Sequence, residues 1–160
     1  MKVVPYPVKT NKEALVYEFI SKGLKGEIVK IVRFEETESL PKKMYNISLV
    51  DYDPVTNEYN SENFTGNGDA KKVITTAGKI IMDFLNHFPN YSVYIEGNLK
   101  KKTIAYGVAI NLFIDSIENN EYEVKGVEGD TNLAIIEVFY DRMRMDYSAY
   151  IIRKTIKQKN

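Results

Sequence analysis

The sequence predicts an α+β fold: a two-layer sandwich in which a mostly antiparallel sheet carries two helices packed on one face, in the order ββββ-α-β-α-ββ(β). Three observations predict it. β-rich runs broken by glycine, proline and asparagine fill the chain as far as Phe64, a strongly periodic helical segment follows from Asp69, and one short strand separates it from a second helical segment.

The chain has 160 residues, which fits one domain able to bury roughly two thirds of its unfolded surface. Residues 1–13 carry Pro5 and Pro7 with little period and are expected to form an extended arm; residues 14–155 form the α+β domain, and the lysine-rich 156–160 a frayed tail. From Val16, "VYEFISKG" and "GEIVKIVRFEE" are two strands joined by Gly23-Leu24-Lys25-Gly26, a hairpin signal. In the second run Ile28, Lys30, Val32 and Phe34 share one face, and Val29, Ile31 and Arg33 the other, so it reads as an inner strand. Pro41 breaks the pattern before "MYNISLVDY", and a turn at Asp53-Pro54 to Asn57 leads into "EYNSENF", polar enough for an edge.

Asp69 suits a helix N-cap, and Val73, Ile74, Ala77, Ile80, Ile81, Phe84, Leu85 and Phe88 recur at helical spacing, ending before Pro89. After the strand "YSVYIEG", a second helix is expected to bury Ile104, Ala105, Val108, Ala109, Leu112 and Phe113 and to stop at Asn119-Asn120. "YEVKGV", "LAIIEVFYDRM" and "YSAYIIRK" supply two or three further strands.

Composition excludes several chemistries. The 22 basic and 22 acidic residues cancel, so any nucleic-acid binding must be local. There is no cysteine, which removes disulfides, thiolate catalysis and Cys-ligated zinc, and suits a reducing cytoplasm. No apolar run approaches a membrane span, so a soluble cytoplasmic protein without membrane partners is expected. His87 is the sole histidine and belongs to the last turn of the first helix, where the dipole favours a cation, so capping outweighs catalysis. Asp51 and Asp53 faintly resemble a calcium loop, but Val55 and Thr56 stand where that loop needs a ligand and a glycine; the segment reads as hairpin chemistry, with magnesium a remote alternative. The motifs of hydrolases, metalloproteases, nucleoside triphosphatases and dinucleotide enzymes are absent. The reading therefore leans away from an enzyme and implies neither cofactor nor metal.

"GNLKKKT" opens the second helix with three lysines at the positive end of its dipole, where acids are preferred. Asn67, Gly68, Lys71 and Lys72 open the first helix much as Asn98, Lys100, Lys101, Lys102 and Thr103 open the second. If the strand at 92–97 runs parallel to the one preceding the first helix, both helix starts emerge at one end of the sheet, and their amides and lysines could hold phosphate or another anion. The plainer alternative is that these lysines are solvated and neutralised by acids such as Glu96. A second basic cluster, Arg142, Arg144, Arg153, Lys154, Lys157 and Lys159, is interleaved with Tyr140, Tyr147 and Tyr150 and opposed by Asp146 alone. Cations beside aromatics suit single-stranded nucleic acid, although tyrosine is equally a good strand former.

"YEFISKGLKGEIVKIVRF", "YNISLVDYD", "NGD", "IEGNLKKKTIAY" and "YIIRK" together resemble an uncharacterised bacterial domain-of-unknown-function family of small stand-alone cytoplasmic proteins, over roughly residues 17–154. In that family the segment matching Gly97 to Tyr106 carries a serine and an arginine; here Asn98 replaces the serine, while Lys102, Thr103 and Tyr106 fall at comparable places. The exchange weakens any expectation of bidentate anion recognition. The resemblance implies the domain's extent and no activity.

The leading expectation is a small non-enzymatic binding protein recognising an anionic small molecule or an acidic protein surface at the two helix N-termini. The alternative is a nucleic-acid-binding or protein-interaction component of a bacterial toxin–antitoxin or phage-defence module, in which a homodimer is possible.

Overall fold

A computed structural model describes residues 3–60, 66–117 and 121–155. Its elements are β1 (Lys9–Thr10), β2 (Val16–Gly23), β3 (Gly26–Glu36), β4 (Met44–Asp53), β5 (Glu58–Asn60), α1 (Ala70–His87), β6 (Ser92–Ile95), α2 (Lys100–Ile117), β7 (Tyr122–Glu128), β8 (Ile136–Phe139) and β9 (Ala149–Lys154). The expected α+β class and element order hold. The lower part of the fourth strand, the Asn119-Asn120 helix stop and the tail with Lys157 and Lys159 lie outside the described residues. The chain comprises two compact units: residues 1–35 with 47–84, and residues 36–46 with 85–160.

In the first unit, β2 and β3 form the expected hairpin, in register from Val16↔Arg33 to Gly23↔Gly26. Gly26 has φ +87°, a value the tight Leu24-Lys25 turn requires and glycine adopts without strain. β1 flanks β2 and β4 flanks β3, so β3 is an inner strand as its two-sided pattern implies. Alternation buries Tyr17, Phe19 and Ser21 of β2 with Val32 and Phe34 of β3. The Phe34 ring stacks on Phe84 of α1 at 4.0 Å between centroids, and Tyr17 meets Phe34 edge-on at 5.7 Å. The N-terminal segment before β1 is anchored: Tyr6 stacks on Phe19, and its backbone N–H donates to Thr76 Oγ1 at 2.9 Å. The β4–β5 turn is the hairpin chemistry expected, with Asp53 Oδ1 accepting from Val55 N and the Tyr52 hydroxyl donating to Asn57 Oδ1.

In the second unit the strands run in the order β4-β6-β9-β7-β8. β6 joins the first residues of β4 in parallel, Met44↔Ser92 to Asn46↔Tyr94, and the remaining pairs are antiparallel. Met44, Tyr94, Val127, Ala149 and Ile151 pack as a core cluster, with Leu40 and Ile135 against it. α2 corrects the expected face. Its buried positions among the described side chains are Lys102, Thr103, Gly107, Ile110 and Ile114, while Val108 and Leu112 of the expected set are exposed. The helix is apolar around most of its circumference, so spacing alone admits neighbouring faces. Gly107 selects one of them, because a Cβ there would collide with the hydroxyl of Tyr150.

Candidate functional site

The turn between β6 and α2 is built by Gly97. An added Cβ would lie 2.5 Å from Lys102 Cβ and 2.7 Å from Thr103 N, so the chain passes beneath the helix start only because this residue has no side chain. Gly97 N donates to Thr103 Oγ1 at 3.0 Å, and Leu99 O accepts from the amides of Lys102 and Thr103 at 3.0 and 3.2 Å. Those bonds fix the first turn. The amides of Lys100 and Lys101 open the helix, where no carbonyl one turn back is available to them.

The lysine triplet does not act as one patch. Successive helical residues point about 100° apart. Lys102 is buried, Lys101 is exposed, and Lys100 lines a hollow of about 340 Å³. Asn98 and Thr103 share that lining. The rest of the lining comes from residues including Gly129 to Thr131 and Asp146 to Ser148, and with Glu96 they contribute three carboxylates. Glu96 Oε1 accepts from the Tyr94 hydroxyl at 3.1 Å and from Thr131 Oγ1 at 2.8 Å. Burial, then the Glu96 charge, pushes the Tyr94 phenol well above its usual range, so it remains a donor. The Arg144 guanidinium hydrogen-bonds Asp146 and holds its carboxyl below the usual range, with Lys100 adding to the effect. The hollow is thus mixed in charge: the Lys100 ammonium shares its lining with Glu96, Asp130 and Asp146, and Lys100 favours the charged form of Asp146.

The start of α1 is a structural joint. Asn67 is buried, its Nδ2 donating to Ser21 Oγ at 3.0 Å and Gly26 O at 3.1 Å, its Oδ1 accepting from Lys25 N at 2.6 Å. Asp69 Oδ2 accepts from both Tyr6 OH and Ser21 Oγ at 2.6 Å. Gly68 takes φ +81°, Lys72 Nζ lies 4.5 Å from the centre of the Tyr6 ring, and Lys71 is exposed. The parallel neighbour of β6 is β4, whereas β5, which leads toward α1, pairs antiparallel with β4.

In the second basic cluster the arginines have acidic partners beyond the single Asp146 that the sequence suggested. Arg142 pairs with Asp115 at 3.4 Å, Arg144 with Glu128 and Asp146, and Arg153 with Glu137 at 2.6 Å and Glu123 at 4.0 Å. Lys154 Nζ lies 5.8 Å from the Tyr122 ring centre. The interleaved tyrosines are core: Tyr140 stacks on Tyr147 at 5.4 Å, Tyr150 meets both edge-on, and Tyr147 and Tyr150 are buried. These acids come from other elements, which is why reading along the chain missed them. His87 is exposed in the last turn of α1, and among the described residues no group of His, Asp and Glu could hold a metal ion. No helix among them is long and apolar enough to cross a membrane.

The family model described as "Family of unknown function (DUF6934)" matches residues 2–155. The chain belongs to that family. DUF6934 membership covers both units, and with them the β6–α2 turn and the hollow. No curated protein and no solved structure matches the chain.

Proposed function

We propose that the chain is a non-enzymatic binding protein, bacterial and cytoplasmic, whose recognition site is the hollow at the start of α2. Its ligand is a small molecule carrying an anionic group and, a few bonds away, an ammonium or hydroxyl group. The observation that carries this reading is the mixed lining, in which Lys100 at the start of α2 shares the hollow with Glu96, Asp130 and Asp146. A helix N-terminus favours an anion, whereas three carboxylates repel a polyanion and favour a donor. The sequence motivated two converging helix starts; the polar groups at α1 are engaged within their own unit, so the proposal rests on α2. Extended nucleic acid fits less well, since the arginines already have carboxylate partners.

Amide-shift titrations with inorganic phosphate and with phosphoethanolamine test the reading. Phosphoethanolamine shifts the amides of residues 98–101 more strongly than phosphate does. Lys100→Glu weakens both by about tenfold, or about 1.4 kcal/mol. Asp130→Asn keeps the turn to Asn132 N and weakens phosphoethanolamine alone. Absence of shifts with both probes, or shifts indifferent to Lys100→Glu, refutes it.

A further inference from the structure

Asn67 and Gly68 form the one Asn-Gly pair in the sequence. Such a pair is chemically labile, because no side chain on the second residue hinders its main-chain nitrogen from reaching the asparagine side-chain carbon. The fold nevertheless requires both residues. Gly68 has φ +81°, and a Cβ there would meet Leu24 Cγ at 3.2 Å. Asn67 is 1% exposed and uses both ends of its side-chain amide: Nδ2 donates to Ser21 Oγ and Gly26 O, while Oδ1 accepts from Lys25 N. Its main-chain carbonyl accepts from Leu24 N at 2.9 Å. Every one of these partners belongs to the β2–β3 hairpin.

We propose that Asn67-Gly68 is a concealed deamidation site: the closed hairpin joint suppresses the reaction, opening of the joint permits it, and the product prevents the joint from closing again. In the reaction the Gly68 nitrogen attacks Asn67 Cγ, and the side-chain nitrogen leaves as ammonia with the proton that Gly68 loses. The resulting cyclic imide adds one water to give an aspartyl or isoaspartyl residue. Ring closure takes Cγ out of the amide plane and expels Nδ2, so it breaks the three side-chain hydrogen bonds to the hairpin. The product then lacks donors. Ser21 Oγ already donates its hydrogen to Asp69 Oδ2 at 2.6 Å, and Gly26 O only accepts. A carboxylate at position 67 therefore turns an oxygen onto two groups unable to donate, in a buried place, and shares the Ser21 hydroxyl with the Asp69 carboxylate. An isoaspartyl residue also lengthens the main chain by one carbon where space is lacking, since a Cβ at Gly23 would stand 1.8 Å from Asn67 O.

Peptide mapping by mass spectrometry of the full chain, held in mildly alkaline buffer with and without urea, tests this. In the unfolded chain position 67 converts ahead of every other asparagine. In the native chain it converts about a hundredfold more slowly, because three hydrogen bonds must open, and the rate climbs with urea below the main unfolding transition. Asn67→Asp raises the unfolded fraction at a given urea concentration by about tenfold, whereas Asn90→Asp, at an exposed turn, leaves it unchanged. A second measurement holds even if Asn67→Asp fails to fold: parent chain kept unfolded until position 67 has converted recovers less native circular dichroism on dilution than chain unfolded briefly. Conversion at 67 as fast in the native chain as in the unfolded one overturns the proposal. So does a converted chain that refolds with the parent's urea midpoint.

Discussion

Lys30 lies on the core face of β3 with Val32 and Phe34, its Nζ 2.6 Å from Asp51 Oδ1, and the two side chains are 7% and 13% exposed. Asp51 Oδ2 has no hydrogen-bond partner among the described residues. A buried pair of this kind contributes little by existing, but removing one partner strands the other. Lys30→Met therefore lowers the unfolding free energy by about 3–5 kcal/mol, and adding Asp51→Leu recovers most of it, as denaturant titration of the single and double variants will show. Half of this arrangement is legible in the sequence. A lysine sharing a face with Ile28, Val32 and Phe34 of an inner strand demands a nearby carboxylate. Which carboxylate depends on how β4 is placed beside β3, and alternation within either strand does not encode that. Asn67 and Lys102 teach the same lesson at the helix starts: residue type suggested ligand contacts, whereas burial turned one into a hairpin clamp and took the other out of the hollow.

At the scale of elements, the β2–β3 hairpin and α1 follow from local rules, because turn glycines and a clean apolar stripe leave one solution. α2 has no clean stripe, so its orientation is set by a tertiary contact that spacing does not reveal. The Gly107–Tyr150 approach makes that contact testable. Gly107→Ala forces the Tyr150 hydroxyl aside and destabilises the fold by about 1–3 kcal/mol, despite alanine's better helix propensity. Tyr150→Phe in the same chain recovers part of the loss. Thermal melts of the parent chain and the two variants check both statements, and a stabilising Gly107→Ala would contradict the packing described.

The whole chain has no formal net charge, yet its charges are arranged as local opposites: Lys30 with Asp51, Arg144 with Glu128 and Asp146, Arg153 with Glu137. Acid stability also draws on a carboxylate held by neutral donors, Asp69 in the first unit. Burial raises the Asp69 pKa, but hydrogen bonds from Ser21 and Tyr6 outweigh it and hold the carboxyl below its usual 3.8. A depressed folded value contributes stability that is complete above the unfolded value and is lost as pH falls through the folded one. Asp69→Asn is accordingly less stable by about 1–3 kcal/mol at neutral pH, the loss of charge-assisted hydrogen bonds, and the gap closes as pH drops below that usual 3.8. Unfolding curves at neutral and acid pH measure the convergence. The fold class was legible because alternation and helical period are local; the mixed lining of the hollow was not, because Asp130 and Asp146 reach it from loops distant in sequence. The chain contains no tryptophan, and Tyr140, Tyr147 and Tyr150 interlock beside Gly107 and Gly126. Near-ultraviolet optical activity therefore arises chiefly from tyrosine rings held in a chiral setting, which provides a label-free spectroscopic gauge of whether the tyrosine-bearing cores of both units are assembled.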